Sequence, residues 1–326
     1  MDFNVLLVNT PLILLSIVLL WKGSDWVVTS AANFAHAWGI SDLVIGLTIV
    51  AIGTSAPEFA VTISAVLTGK ADISVSNIVG SNIFNLGFIL GGTASFYAIA
   101  TTPKLVYRDG FFLIGVTLLL SFFLFDSQLL QFDKPITQGM MTRWEGATLV
   151  ALLIIYMTYL FFKKEKLEEE IEVEKASWKD AVLLLAGLAA VVGGGHLLVE
   201  SASAIARFFG VSDWVIGVTI VAAGTSAPEL ATSITALIKG KSGMAIGNLI
   251  GSDLFNLLGV LGLAAILKHP LMVSPEARGS MIMLVLMVIL VVYFMRSGWK
   301  ITRLQGFTLV VINLIRWGFD FMGKSG

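Results

Sequence analysis

The chain has no cysteine, only three histidines, and charged residues make up just 13% of it. Without cysteine there are no disulfides, no thiolate metal sites and no cysteine nucleophile. His36, His196 and His269 are scattered and unmatched, so an imidazole ligand set or proton shuttle is excluded and they read as interface or packing residues. The net charge of −1 gives no reason to invoke nucleic acid. Soluble domains carry about 25% charged residues. Here the deficit is matched by 56% hydrophobic residues and a mean hydropathy of +0.89.

The apolar residues fall in blocks near the ~20 residues that cross a bilayer. Spans are expected at 4–35, 42–68, 73–99, 111–126, 142–162, 178–207, 213–239, 243–267, 279–296 and 302–320, with the fourth short. Helices apolar on every face leave a soluble enzyme core as the losing alternative. The first run lacks a basic leader and is followed by Lys22 and Asp25, so it reads as a transmembrane helix and not as a cleaved signal.

One cassette occurs twice. VIGLTIVAIGTSAPEFA runs from Val44 to Ala60 and VIGVTIVAAGTSAPELA from Val215 to Ala231. Aligning Asp42–Gly91 with Asp213–Gly262 leaves roughly half of about fifty positions identical, which establishes internal duplication. Gly23, Ser30, Gly39 and Ser41 match Gly194, Ser201, Gly210 and Ser212, so the preceding helix belongs to the repeat. Five spans separate equivalent points, an odd number, so the halves enter the membrane with opposite polarity. The expected fold is an all-α integral membrane protein of ten transmembrane helices in two inverted-topology repeats of five. Residues 1–162 form the first repeat (cassette 42–91), 163–177 a short charged cytoplasmic linker, and 178–326 the second repeat (cassette 213–262). Basic residues such as Lys104, Arg108, Lys163, Lys164, Lys166, Lys175, Lys239, Lys241 and Lys300 gather on one side, which puts the N-terminus outside. The linker acids Glu168, Glu169, Glu170, Glu172 and Glu174 read as a solvated helical stretch, because no Gly-punctuated calcium loop accompanies them.

Each cassette carries a glutamate, Glu58 or Glu229, at the same place in an apolar span. Such a carboxylate costs roughly 2.5–3.5 kcal/mol to insert, so a matched pair points to function. Pro57 and Pro228 lack a backbone donor, and the helix is expected to unwind near Gly53 and Gly224. Thr54 and Ser55 lie four and three residues before Glu58, and Thr225 and Ser226 repeat the arrangement before Glu229, so hydroxyls and carboxylate converge on one side. The next helix bears a stripe at intervals of four, Asn77, Ser81 and Asn85, matched by Asn248, Ser252 and Asn256. Carboxylate, amide, hydroxyl and carbonyl oxygens without sulfur or imidazole suit Ca²⁺, Mg²⁺ or Na⁺, with Ca²⁺ the best fit. Glycines such as Gly87, Gly91, Gly193, Gly194, Gly195, Gly259 and Gly262 read as points of close helix packing.

At these residues the chain resembles the cation/calcium exchanger superfamily, and within it the prokaryotic type of sodium/calcium exchanger. Both GTSAPE cassettes, both GSxxFN segments and the ten-span layout carry the resemblance, which covers essentially the whole chain. It implies a midplane site of adjacent cation positions, with the first and sixth helices sliding over the remaining bundle. Carried over by position, it implies ligands from Glu58, Glu229, Thr54, Ser55, Thr225, Ser226, Ser81, Asn85, Ser252 and Asn256 and from the carbonyls of Ala51 and Ala222. Ca²⁺ would be held chiefly by the glutamates and Na⁺ by the hydroxyls and carbonyls. No cofactor, nucleic acid or obligatory protein partner is implied, and the location is the cytoplasmic membrane of a prokaryote.

Two departures stand out. Some relatives have an aspartate where this chain has Asn256, which weakens any case for potassium dependence. Asp253 replaces the Asn82 of the first repeat, and a helical turn of about 100° past Ser252 aims it away from the same site, towards a basic partner. The expected function is Na⁺/Ca²⁺ antiport. A Ca²⁺/H⁺ exchanger using the same glutamates is the nearest rival, and hydroxyl-rich surroundings lean towards Na⁺. A channel would more naturally use rings from symmetric subunits. A serine hydrolase on Ser55 or Ser226 lacks a duplicated histidine, so the chain is not read as an enzyme.

Overall fold

A computed structural model of the chain describes residues 4–69, 71–125, 138–163, 176–211, 220, 222–275 and 277–322. The linker acids Glu168 to Glu174 and most of the stretch 212–221 lie outside the described residues. Among the described residues the protein is helical apart from two short β-ribbons. In chain order the helices are α1 (Asn4–Trp38), the bent pair α2 (Asp42–Thr54) and α3 (Ala56–Leu67), α4 (Ile73–Phe96), α5 (Leu105–Phe125), α6 (Arg143–Phe162), α7 (Trp178–Phe208), α8 (Ala222–Thr225), α9 (Ala227–Ile238), α10 (Ser242–Leu267), α11 (Ala277–Arg296) and α12 (Arg303–Met322). Seven are long and apolar enough to cross a membrane, or eight if α2 and α3 make one bent span. Burial is inverted relative to a water-soluble protein: Leu7, Leu14 and Leu185 are exposed, while Glu58, Asn85 and Asp253 are fully buried.

Apart from the seventh expected span, whose start lies outside the described residues, the described helices begin and end within a few residues of the expected spans, with one correction. The fourth span is not short: α5 starts at Leu105, six residues before the expected 111. Sequence hydropathy stops at Arg108 and Asp109, but the two charges close on each other, Arg108 Nε to Asp109 Oδ1 at 2.7 Å and Nη2 to Oδ2 at 3.0 Å. A bidentate pair is less costly to carry into an apolar helix than either charge alone.

The chain divides into two compact units, each drawing on both halves of the sequence. The first contains Met1–Ala60 and Tyr156–Ser252. In it α1 and α7 lie backbone to backbone at two matched points. A Cβ added at Gly23 would sit 2.9 Å from the Gly187 carbonyl, and one added at Gly194 would sit 3.1 Å from the Ser16 carbonyl. Small residues drive helices together in lipid because the backbones can then touch. The same device brings α10 onto α2, where Cβ atoms at Gly46, Gly247 and Gly251 would meet the carbonyls of Met244, Leu43 and Leu47 at 2.6, 2.6 and 2.5 Å. Polar pairs fasten the end of α9 to its neighbours: Ser24 with Thr235 at 2.7 Å, Lys239 with Asp25 at 2.6 Å and Lys241 with Asp42 at 3.0 Å. Helix α7 starts on a capping box of Ser177 and Asp180.

The second unit contains Val61–Ile155 and Asp253–Gly326, and its contacts are duplicated too. Gly91 of α4 packs on Gly306 of α12, and its repeat equivalent Gly262 of α10 packs on Gly146 of α6. Helices α6 and α12 both open with a threonine whose backbone N–H is accepted by a side chain three residues on, Thr142 by Glu145 at 2.6 Å and Thr302 by Gln305 at 2.8 Å. Strand β1 (Ile99–Ala100) pairs with β4 (Lys300–Ile301), and β2 (Gly139–Met141) with β3 (Leu271–Val273), both antiparallel. Of the glycines expected at helix contacts, Gly193 differs: nothing lies within 4 Å of its Cβ position.

These contacts separate the glycines by experiment. Gly251→Ala forces a methyl against the Leu47 carbonyl and is expected to destabilise by about 1–3 kcal/mol. Gly193→Ala meets open space and is expected to be neutral or mildly stabilising, as alanine is the better helix former. Thermal melting of the detergent-solubilised variants, followed by size-exclusion chromatography, measures the difference.

Candidate functional site

Proline sets the local geometry of each cassette. Pro57 cannot donate to the carbonyl of Gly53, and its ring crowds that carbonyl, so the helix bends. The bend between α2 and α3 is 48°. It falls at Ser55 (φ −79°, ψ 10°), and Ser226 (φ −89°, ψ 10°) takes the same conformation between α8 and α9. The break is therefore at the serine, two residues before the proline, and not at the glycine as expected. The Ala51 carbonyl still accepts the Ser55 N–H at 3.0 Å. Gly53 and Gly224 serve packing instead, with the side chains of Leu188 and Val199 from α7 pressed against them.

With serine at the bend, glutamate falls in the first turn of the next helix, and each acid reaches the serine of the other cassette. Ser55 Oγ donates to Glu229 Oε1 at 3.0 Å, and Ser226 Oγ donates to Glu58 Oε1 at 3.0 Å. The two glutamates and two serines are all 0–1% exposed. Thr54 and Ser252 join this group. Ser252 Oγ lies 3.4 Å from both Glu229 Oε1 and the Ala51 carbonyl, and Thr54 Oγ1 donates to the Ala51 carbonyl at 3.3 Å. Thr225 is buried at the end of α8, and Ala222 opens that helix.

Asn248, absent from the expected ligand set, organises this cluster from behind. Its Oδ1 accepts from Thr54 Oγ1 at 3.1 Å, and its Nδ2 donates to Thr232 and Ser233 at 2.9 and 3.1 Å. Its place in the four-residue polar stripe was the available signal. The repeat equivalent Asn77 donates to Thr62, the counterpart of Ser233, at 3.0 Å in the second unit.

The remaining expected ligands, Ser81, Asn85 and Asn256, belong to the second unit and are buried there. Asn85 and Asn256 share a network with Asn82 and Asp253, two residues outside the expected set. The Asp253 carboxylate has a carboxamide partner, with Asn85 Nδ2 donating to Oδ1 at 3.1 Å.

The chemistry of the first cluster follows from its partners. Glu229 Oε1 accepts the hydroxyls of Ser55 and Ser252, and its second carboxylate oxygen, Oε2, is buried with no hydrogen-bond partner. Hydroxyls satisfy geometry without supplying positive charge. No group of three His, Cys, Asp or Glu that could hold a metal is found among the described residues. The donors are two carboxylates, hydroxyls and carbonyls, a hard-oxygen set of the kind Ca²⁺ and Na⁺ accept.

The profile of the family described as "Sodium/calcium exchanger protein" matches residues 8–162 and 179–315. The chain belongs to the sodium/calcium exchanger family. Prokaryotic relatives match it over nearly its whole length. CaxA of Alkalimonas amylolytica is 37% identical over 313 residues, covering 94% of this chain and 96% of CaxA. The sodium/calcium exchanger MaX1 of Methanosarcina acetivorans is 32% identical over 341 residues, covering 93% and 96%. Among solved structures, the sodium-calcium exchanger NCX_Mj soaked with 2.5 mM Na⁺ and 1 mM Sr²⁺ superposes with a TM-score of 0.81 at 31% identity, covering 95% of this chain and 97% of that one. The exchanger is thus an integral membrane transporter of the prokaryotic cation/calcium type.

The reciprocal serine bonds predict matched phenotypes. Ser55→Ala and Ser226→Ala each remove one hydrogen bond to a buried carboxylate, an interaction worth about 1.5–3 kcal/mol. Each is expected to raise the Ca²⁺ concentration for half-maximal uptake by about tenfold or more, to a similar extent, as measured with ⁴⁵Ca²⁺ in reconstituted vesicles.

Proposed function

We propose that this chain is an electrogenic Na⁺/Ca²⁺ antiporter that works by alternating access at a site built on Glu58 and Glu229. One observation carries the reading: each buried glutamate accepts the serine hydroxyl of the other cassette at 3.0 Å, so the two acids share one neighbourhood with hydroxyl partners. Two carboxylates buried together without counter-ions are strongly disfavoured. The occluded state that crosses the membrane forms when Ca²⁺ or a set of Na⁺ ions compensates them, and the empty site does not cross. That condition makes the process exchange and not leak.

In this reading Ca²⁺ is held chiefly by Glu58 and Glu229. Na⁺ takes the hydroxyls of Thr54, Ser55, Thr225, Ser226 and Ser252 and the carbonyls of Ala51 and Ala222. The family resemblance adds Ser81, Asn85 and Asn256 as further oxygen ligands. If more than two Na⁺ replace one Ca²⁺, each cycle moves net charge and responds to voltage at ~2.3 kcal/mol per charge per 100 mV.

The topology proposed is ten spans in two inverted repeats, 1–162 and 178–326, joined by the linker 163–177, with the N-terminus outside the cell membrane. Loop pairing supports it. A ten-span path puts 99–100 and 300–301 on the inner side and 139–141 and 271–273 on the outer side, and these are the segments that pair as β1 with β4 and β2 with β3. Lys241 and Asp42, both at expected inner ends, also meet.

The test imposes one gradient at a time on reconstituted vesicles. An outward Na⁺ gradient is expected to drive ⁴⁵Ca²⁺ uptake, and Glu58→Gln and Glu229→Gln are each expected to abolish it while leaving the protein monodisperse. Uptake driven by a pH gradient without Na⁺ would instead establish Ca²⁺/H⁺ exchange by the same acids. Full Ca²⁺ transport in both variants would overturn the site.

A further inference from the structure

The carboxamides of Asn85 and Asn256 are held by a network whose polarity fixes which end of each amide is left over. Asn82, Asn85, Asp253 and Asn256 are all fully buried. An amide can present either an oxygen or an NH₂ group, so its orientation is decided by what it meets. A carboxylate accepts hydrogen bonds and gives none, and the same holds for a backbone carbonyl. Asn85 meets the Asp253 carboxylate, so Nδ2 is the end that faces it, at 3.1 Å from Oδ1. Asn82 meets the Asp253 backbone carbonyl, so its Nδ2 faces that oxygen at 3.1 Å. Its Oδ1 is then turned to accept Asn256 Nδ2 at 3.1 Å. The NH₂ groups of Asn85 and Asn256 are thereby each engaged through one N–H, and Asn85 Oδ1 and Asn256 Oδ1 are left as buried acceptors with no hydrogen-bond partner.

The arrangement is duplicated in function though not in sequence. Positions 82 and 253 are repeat equivalents, and so are 85 and 256. Each member of the first pair offers an oxygen to the NH₂ group of the second pair's residue in the other repeat. We infer that Asp253, together with Asn82, is a positioning residue for ion exchange: it locks the Asn85 carboxamide with its oxygen presented for a cation and its NH₂ group withheld. Asn82 does the same for Asn256. The inference rests on the reading of Asn85 and Asn256 as ligands, and it gives Asp253, an acid that the first repeat replaces with Asn82, a task distinct from binding the ion.

A double-mutant cycle in reconstituted vesicles tests it, reading the half-saturating Na⁺ and Ca²⁺ concentrations for exchange. Asp253→Leu removes the acceptor, frees the Asn85 amide to rotate and is expected to raise half-saturation for at least one ion by about 10-fold or more, the usual effect of losing an outer-shell partner. Asp253→Asn can copy the role of Asn82 and is expected to stay within about threefold of the native protein. In an Asn85→Ala background Asp253→Leu should add nothing further, whereas in an Asn256→Ala background its effect should persist. Additive effects with Asn85→Ala, or equal losses in Asp253→Asn and Asp253→Leu, would overturn the positioning role. If Asn85→Ala changes neither half-saturation, the ligand reading fails and the inference with it. If Asn85→Ala is impaired while Asp253→Leu is not, the ligand reading stands and the inference alone falls. Should Asp253→Leu give no monodisperse protein, Asn82→Leu with Asn256→Ala runs the same cycle on the matched pair.

Discussion

Two acids are buried in an apolar protein, and each is held by a neutral hydroxyl from the opposite cassette. Much of the first compact unit can be understood as what that arrangement requires. Serine must stand at a bend to project across, which calls for proline two residues later. The bent helices must come close enough for a 3.0 Å hydrogen bond, which calls for backbone contact, and glycine supplies it at Gly46, Gly247 and Gly251. Helix α7 closes against the bends through Leu188 and Val199, which leave room for no side chain at Gly53 and Gly224. Proline, serine, glutamate and glycine in one motif thus act together to place the carboxylate.

The duplication made most of this legible in the sequence. A lone serine or proline in a membrane helix has an ordinary packing explanation, but Ser55, Pro57 and Glu58 recurring as Ser226, Pro228 and Glu229 do not. The location of the bend was less legible, because proline chemistry names the carbonyl it cannot serve and leaves open which neighbouring residue absorbs the turn. Hydropathy likewise hid the start of α5, since an Arg–Asp pair counts as two charges in a window and as nearly none once it closes on itself. The matched starts of α6 and α12 escaped notice because their offset differs from that of the cassettes, so an alignment anchored on GTSAPE runs past them. The carboxamide network was out of reach for another reason: a helical wheel cannot tell that Asn85 and Asn82 come to meet Asp253.

Neutral partners for the two glutamates carry a consequence for transport. A lysine or arginine beside Glu58 and Glu229 would settle the electrostatic debt of burial permanently, and the site would then be content without cargo. The hydroxyls of Ser55 and Ser226 meet the directional needs of one oxygen of each acid but bring no positive charge, and under the antiport reading the compensation falls to the bound ion. Glu229 shows the distinction within one side chain, with Oε1 receiving two hydroxyls while Oε2 receives none. A carboxylate dressed in this way is poised geometrically but unstable electrically. Under the antiport reading that combination makes ion binding a condition for crossing the membrane.

The same logic separates the two kinds of polar residue in the duplicated segments. Groups that must meet a cation need an oxygen that nothing else has claimed, and in a buried setting this is possible only if the rest of the side chain is firmly engaged. For serine and threonine the single hydroxyl proton provides that engagement, going to a glutamate or a carbonyl and leaving lone pairs behind. For asparagine the NH₂ group must also be engaged, by the Asp253 carboxylate for Asn85 and, for Asn256, by the Asn82 amide oxygen, whose own NH₂ group is turned to the Asp253 backbone carbonyl. Asn248 is the contrasting case: both ends of its carboxamide are occupied, by Thr54 on the oxygen and by Thr232 and Ser233 on the nitrogen. Its oxygen is engaged by Thr54, so its evident contribution is to hold Thr54 in place. Under the antiport reading, whether a buried amide serves as a ligand or a brace then follows from which of its ends is already engaged.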